Sequence, residues 1–232
     1  MNLDPQEISK FEELASRWWD PGSEFKPLHE INPLRANWID KRAEVAEKTL
    51  LDVGCGGGIF SEAMAQRGAI VTGIDMGDAP LAVANLHKLE SGLNIDYFKA
   101  TAESFSDSNF QRFDAVTCLE MLEHVPNPAS VVKACASMTK PGGTLFFSTM
   151  NQTPKSYLFA ILGLEYVLKM LPKGTHDFAK FIKPSELTSW IRDASLELQD
   201  ITGLLYNPIT KNYKLSQNDV DVNYMISVTK PL

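Results

Sequence analysis

The residues with the most chemical potential form a loop followed by an acid. Asp52-Val-Gly54-Cys-Gly56-Gly-Gly58 sets glycines at alternate positions behind a carboxylate. Glycine lets backbone approach a ligand without a Cβ in the way, and the helix that follows turns its first N–H groups toward the same place. A dinucleotide fingerprint begun at Gly54 would need glycine or alanine at position 59, where Ile59 stands. A pyrophosphate cradle, and with it a nicotinamide oxidoreductase, is therefore disfavoured. The spacing suits a nucleoside joined to an amino acid, such as S-adenosylmethionine. Asp75, about 20 residues beyond the loop, closes the next strand and can accept from both ribose hydroxyls. A tight turn with no ligand would account for the glycines but not for the acid.

A second group is Glu120-Met-Leu-Glu123-His124. If Glu123 and His124 open a helical turn, spacings of three and four bring the three side chains to one face. Two carboxylates and an imidazole can hold a divalent ion; the oxygen-rich set fits Mg²⁺, while histidine admits Mn²⁺, Co²⁺ or Zn²⁺. Helix capping and packing is the other reading of the same residues. His176 and Asp177 offer a further acid/base pair, or a loop bond at a helix terminus.

The elements that must position these groups alternate between strand and helix. Strands are expected at Thr49–Val53, Ile70–Ile74, Ile95–Phe98, Phe113–Leu119 and Thr144–Ser148. Helices are expected at 59–67, 78–91 and 128–138, with glycine or proline at their ends. Asp4–Trp19 and Pro33–Lys48 read as helices before the sheet, and Pro184–Asp193 as one after it. Leu196–Leu205 and Val222–Val228 read as two closing strands joined as a hairpin. The pattern predicts an α/β, Rossmann-like, seven-stranded and mostly parallel sheet with helices on both faces, N-terminal helices and a helical insertion after strand five. Right-handed crossovers gather the strands' carboxyl ends at one edge, where ligands collect.

At 232 residues and 44% hydrophobic, the chain has the size and composition of one globular domain. Its parts are an N-terminal cap (1–48), a donor-binding core (49–150), an insertion (151–184) and a C-terminal portion (185–232). A net charge of −7 argues against a broad nucleic-acid-binding face. Three cysteines without C-x-x-C spacing suggest neither a disulfide framework nor a zinc site. With no basic, apolar leader at the start, a cytoplasmic location is expected.

Leu51-Asp-Val-Gly-Cys-Gly-Gly-Gly58, Gly73-Ile-Asp75, Phe113-Asp-Ala-Val-Thr117 and Lys140-Pro-Gly-Gly143 resemble the successive motifs of class I S-adenosylmethionine-dependent methyltransferases. Further blocks cover nearly the whole chain. Ser16-Arg-Trp-Trp-Asp20, Glu24–His29, Ile31–Arg35, Cys118–Val125, Pro172–Asp177, Lys180–Pro184 and Asp219–Met225 resemble the bacterial ubiquinone-biosynthesis O-methyltransferases. That resemblance implies O-methylation of polyprenylated catechol-type rings at both O-methylation steps of the pathway, and it leaves room for a pathway complex. It also implies donor contacts at Arg35, Gly54, Asp75 and Leu119. A guanidinium at position 35 could clamp the methionine carboxylate, although a surface cation is the other reading. Asp52 would hold the methionine amino group or order the loop, beside Gly56.

Glu120, Glu123, His124 and His176 are the expected catalytic residues, the first three also as ligands of an ion open to a bidentate catecholate. An unperturbed phenol near pKa ~10 lies three units above neutrality, roughly 4 kcal/mol of activation that a metal could supply. A neutral histidine could instead take the proton as transfer proceeds.

The stretch Tyr157–Leu171 is apolar, broken by Glu165 and Lys169, and shorter than the ~20 residues of a membrane span. Thr153 to Pro184 carries net charge +3 within the −7 chain. An apolar helix beside lysines suits anionic lipid, hence peripheral association with the inner membrane, or else a cover over the core. Rival functions are methylation of another small phenol or lipid acceptor, and non-catalytic lipid binding with a vestigial nucleoside pocket.

Overall fold

The computed structural model describes residues 2–158 and 178–232. Among them, β1 (Thr49–Val53), β2 (Ile70–Asp75), β3 (Ile95–Lys99), β4 (Phe113–Leu119), β5 (Thr139–Met150), β6 (Glu197–Asn207), β7 (Asn212–Ser216) and β8 (Asn223–Thr229) form one sheet. Their order is β3-β2-β1-β4-β5-β8-β6-β7. The first five run parallel, β8 lies antiparallel between β5 and β6, and β7 folds back on β6. The helices are α1 (Pro5–Leu14), α2 (Lys26–Ala43), α3 (Ile59–Ala65), α4 (Asp78–Ser91), α5 (Ala102–Ser106), α6 (Pro128–Met138), the single turn α7 (Pro154–Ser156) and α8 (Pro184–Asp193).

Successive strand residues feed opposite faces, as the pleat requires. Leu50, Ala115, Phe146 and Met225 pack with Trp38 and Ile39 of α2 and Met64 of α3. Their neighbours Leu51, Val116, Phe147 and Ile226 pack with Val132 and Cys135 of α6 and Ile191 of α8. Both faces are thus closed, and the carboxyl ends of β1, β2 and β4 share one rim.

The structure corrects the expected architecture: α1 stops at Leu14 instead of running to Trp19, an unexpected short α5 lies between β3 and β4, and three further differences concern the sheet and α2. The sheet has eight strands among the described residues, not seven. The added β7 pairs at the far edge of β6, where only Tyr213, Leu215 and Ser216 are partly covered. Second, α2 begins at Lys26 rather than Pro33. Pro27 occupies its first turn, where a missing N–H costs little, and Ile31, Arg35, Trp38 and Ile39 bury a face that carries the helix through Pro33. Third, β5 starts at Thr139 and takes in Pro141-Gly-Gly143. β6 and β8 do lie side by side and antiparallel, but they are not joined as the expected hairpin, because β7 intervenes in sequence and turns back on β6.

In β6, a Cβ built on Gly203 would lie 1.7 Å from the carbonyl oxygen of Asp219. Backbone cannot retreat cheaply, so Gly203→Ala should cost about 2 kcal/mol, seen as a thermal midpoint lowered by roughly 5 °C. An unchanged midpoint would show that the 219–220 segment moves aside freely.

Candidate functional site

The glycine loop leaves β1 and is pinned to the neighbouring strand: Gly54 and Cys55 donate their N–H groups to the Ile74 carbonyl, at 2.9 and 3.1 Å. At Gly56 the backbone adopts φ +51°, and a Cβ there would meet the Trp18 ring at 2.2 Å. Only glycine allows that approach. Trp18 lies over the loop, stacked on Phe25 with centroids 4.1 Å apart. Trp19 donates from Nε1 to the Gly57 carbonyl at 2.8 Å and stacks on His87 at 3.4 Å. The N-terminal cap is therefore seated directly on the loop.

The cleft at this rim brings together Arg35, Asp52, Gly54, Gly56, Asp75 and Leu119. These are the six expected donor-site residues. Asp75 accepts from the N–H of Gly56 at 2.9 Å and of Gly77 at 2.8 Å, which fixes the carboxylate at the end of β2. Burial raises its pKa against those bonds. Asp52 is buried and accepts from the hydroxyls of Ser61 (2.6 Å) and Thr117 (2.9 Å), and burial raises its pKa as well.

Arg35 is the anomaly. It is 4% exposed, and its Nε and one terminal nitrogen have no hydrogen-bond partner. Glu120 is 3.9 Å away, an attraction without a bond. Burial lowers the pKa of the guanidinium, while the charges of Glu120 and Asp52 oppose that shift. A buried cation with unused donors is costly unless an anion completes it. The expected surface cation is excluded by this burial. The cleft thus offers a cation for a carboxylate, a fixed acid for a diol, and an apolar wall between them, a set that fits S-adenosylmethionine.

Glu120, Glu123 and His124 do not converge as their spacing suggested. Glu120 sits at φ +52°, a left-handed conformation uncommon outside glycine. Its carboxylate accepts from Ser148 Oγ at 2.6 Å and Asn223 Nδ2 at 2.9 Å. Leu122–His124 then form a 3-10 turn, whose roughly 120° step per residue sends Glu123 and His124 apart. Glu123 is buried and accepts from Thr149 Oγ1 at 2.8 Å. His124 turns to Glu7, with Nδ1 2.9 Å from Oε2. The described residues contain no group of three His, Cys, Asp or Glu that could hold a metal ion. As arranged, these three side chains do not fit the expected Mg²⁺ site. Glu120 and His124 line the cleft, whereas Glu123 faces the interior behind it. His176 and Asp177 lie outside the described residues.

Burial, then the charge of Glu120, pushes Glu123 up to about 7. Burial opposes a charge on His124, but the bond to Glu7 and the nearby carboxylates outweigh it and raise its pKa. Glu7 is driven well below the usual carboxylate range, first by His124 and, against burial, by Lys180 and Lys10.

Sequence reading missed Glu7, Trp18, Ser148, Thr149 and Asn223. Glu7 is the residue that α1 buries, where an ordinary amphipathic helix exposes its carboxylates, and no local feature of the sequence marks it. Among the described residues of the insertion, Lys155 and Lys180 are already paired. Lys155 meets Asp219 at 2.7 Å and Asp221 at 3.3 Å, and Lys180 meets Asp4 at 3.0 Å and Glu7 at 2.9 Å. The apolar segment itself, with Glu165, Lys169 and Lys173, falls outside the described residues beyond Leu158. No described helix is long and apolar enough to cross a membrane.

A family model described as a methyltransferase domain matches residues 29–201. Among solved structures, magnesium protoporphyrin IX methyltransferase from Synechocystis PCC 6803 with bound S-adenosylmethionine is 15% identical, with 99% of this chain and 100% of that chain covered and a TM-score of 0.66. A methyltransferase from Thermotoga maritima is 18% identical, covering 97% and 98%, with a TM-score of 0.66. Fold and family match together define an S-adenosylmethionine-dependent methyltransferase. The ubiquinone biosynthesis O-methyltransferase of Saccharophagus degradans is 68% identical over 230 residues, covering 99% of this chain and 98% of its own. That of Pseudomonas paraeruginosa is 67% identical with the same coverage. The chain belongs to the ubiquinone biosynthesis O-methyltransferase family.

Glu123 gives a pH prediction. The unfolded chain ionises it near 4.5 and the folded chain near 7, so between these values the folded state binds more protons and stability falls as pH rises. Between about pH 4 and 8 the wild type should lose about 3 kcal/mol relative to Glu123→Gln in urea denaturation. Parallel pH profiles for the two proteins would refute the assignment.

Proposed function

We propose that this protein transfers the methyl group of S-adenosylmethionine to phenolic oxygens of polyprenylated catechol-type intermediates, at both O-methylation steps of ubiquinone biosynthesis. The relatives' names supply the pathway. The observation in this molecule that carries the donor site is Arg35, buried in the cleft with donors unused. When bound, S-adenosylmethionine supplies an electrophilic methyl on a positively charged sulfur. Arg35 binds the methionine carboxylate, Asp75 takes the ribose hydroxyls, and the Gly54–Gly58 backbone admits the donor closely. Asp52 orders the loop through Ser61 and Thr117. Leu119 borders the adenosyl group.

His124 accepts the phenol proton at Nε2 as the oxygen–methyl bond forms and the sulfur–methyl bond breaks. Glu120, held by Ser148 and Asn223, fixes the acceptor side of the cleft. Trp18 and Phe11 wall the site from water. Catalysis then comes from orientation and proton removal, with no covalent bond to the protein. Calorimetry should find donor affinity at least tenfold weaker in Arg35→Leu, a charge-assisted bond being worth about 1.5–3 kcal/mol. His124→Gln should bind the donor normally but turn over a short-tailed catechol at least 100-fold more slowly. Normal donor affinity in Arg35→Leu would overturn the donor site; normal turnover in His124→Gln would overturn the base.

The proposal extends to where the substrate is met. A polyprenyl tail resides in a bilayer, and the segment 157–171 is apolar enough to lie at its surface, as a peripheral contact at the inner membrane or within a pathway complex. Lys155 and Lys180 are engaged by carboxylates, so the contact would rest on the apolar side chains of the segment and on its other lysines. Vesicles of anionic phospholipid should sediment the protein, and Leu164→Ser with Leu168→Ser should weaken this severalfold. Equal sedimentation of the two would remove the membrane from the reading.

A further inference from the structure

The contact between α1 and the Glu120–His124 segment joins residues 117 positions apart. The buried carboxylate of this N-terminal helix meets a histidine at the cleft although two lysines already neutralise it. Glu7 is 6% exposed, and its two oxygens are used differently. Oε1 receives Lys180 Nζ at 2.9 Å and Lys10 Nζ at 3.1 Å, while Oε2 lies 2.9 Å from His124 Nδ1. Two ammonium groups on Oε1 keep the carboxylate ionised, so it has no hydrogen to give. The proton in the contact therefore belongs to Nδ1, and in the neutral ring, the form that can accept the phenol proton, Nε2 carries the lone pair. A second contact fixes the ring plane: the Phe11 ring meets the imidazole edge-on, with centroids 5.1 Å apart and planes at 87°.

Resting on the reading of His124 as proton acceptor, we propose that Glu7 is a positioning residue for methyl transfer, holding His124 in the tautomer that keeps Nε2 open to the phenol. Its partner Lys180 lies 173 residues away, just before Phe181-Ile-Lys183, and also binds Asp4 at 3.0 Å. The base is thus completed by three separate stretches of chain: the 120–124 turn, α1, and the turn at Phe178–Lys180. Orientation of the imidazole requires all three to be docked, so the proton acceptor is assembled only when the cap is seated over the cleft.

The chemistry of an amide makes the test sharp. In Glu7→Gln the carbonyl oxygen must serve Lys10 and Lys180, which can only donate, so the amide NH₂ faces Nδ1. The imidazole proton then moves to Nε2, where it blocks acceptance. At saturating donor and short-tailed catechol, kcat of Glu7→Gln should fall about 100-fold, with donor affinity and acceptor KM within threefold of wild type. Glu7→Asp should recover part of the loss. Nitrogen-15 spectra of labelled histidine should show His124 protonated at Nδ1 in the wild type and at Nε2 in Glu7→Gln. In a His124→Gln background, adding Glu7→Gln should cost nothing further.

Retention of kcat within twofold in Glu7→Gln, while His124→Gln is impaired, would overturn the role of Glu7 and leave His124 standing. Normal turnover in His124→Gln would remove the base itself. Additive losses in the double variant, or an unchanged tautomer, would mark Glu7 as merely structural and equally overturn the proposal.

Discussion

A guanidinium buried beneath a sheet rim with donors left over is the constraint around which this molecule is arranged. Arg35 is held there by α2, whose other buried residues, Trp38 and Ile39, are locked into the core below β1 and β4. It cannot reach water without dismantling that packing, and Glu120 approaches only to 3.9 Å because Ser148 and Asn223 hold its oxygens. The fold therefore keeps an unmet demand for an anion at a fixed place. The parallel strands supply the rest, because their shared edge puts the glycine loop and Asp75 within the same cleft.

The acceptor side is organised on another principle. The expected donor-site residues come from α2 and from the ends of β1, β2 and β4, whereas the groups that meet the Glu120–His124 segment come from the far parts of the chain. Glu7, Lys180 and Asn223 converge on the segment after β4 from an N-terminal helix, the end of the insertion and the last strand. The geometry of that segment therefore depends on the docking of α1 and of the Phe178–Lys180 turn.

This division governs what the sequence reveals. The loop Asp52–Gly58, Asp75, and helices such as α6 and α8 were legible because their signals are local: glycine spacing, strand ends, proline in a first turn. β7 was not, since Asn212-Tyr-Lys-Leu-Ser216 is a short, half-polar edge strand with little to bury. α2 was misplaced because proline at position 33 reads as a start, while the packing that carries a helix through it is tertiary. The Glu120–His124 group shows the limit most clearly. Its spacing predicts convergence only on a helix, and here one left-handed residue and a tight turn take the helix's place and give the three side chains separate partners. Glu7 was invisible because its meaning depends on a contact across 117 positions.

The seating of the cap on the glycine loop has an optical consequence. Two of the chain's four tryptophans, Trp18 and Trp19, are pressed against that loop, one over Gly56 and the other bonded to Gly57 and stacked on His87. The other two, Trp38 and Trp190, pack on opposite faces of the sheet. Intrinsic emission therefore has a rim-borne component from Trp18 and Trp19, sensitive to whatever lifts the cap, and a component from Trp38 and the half-buried Trp190 that lies away from it.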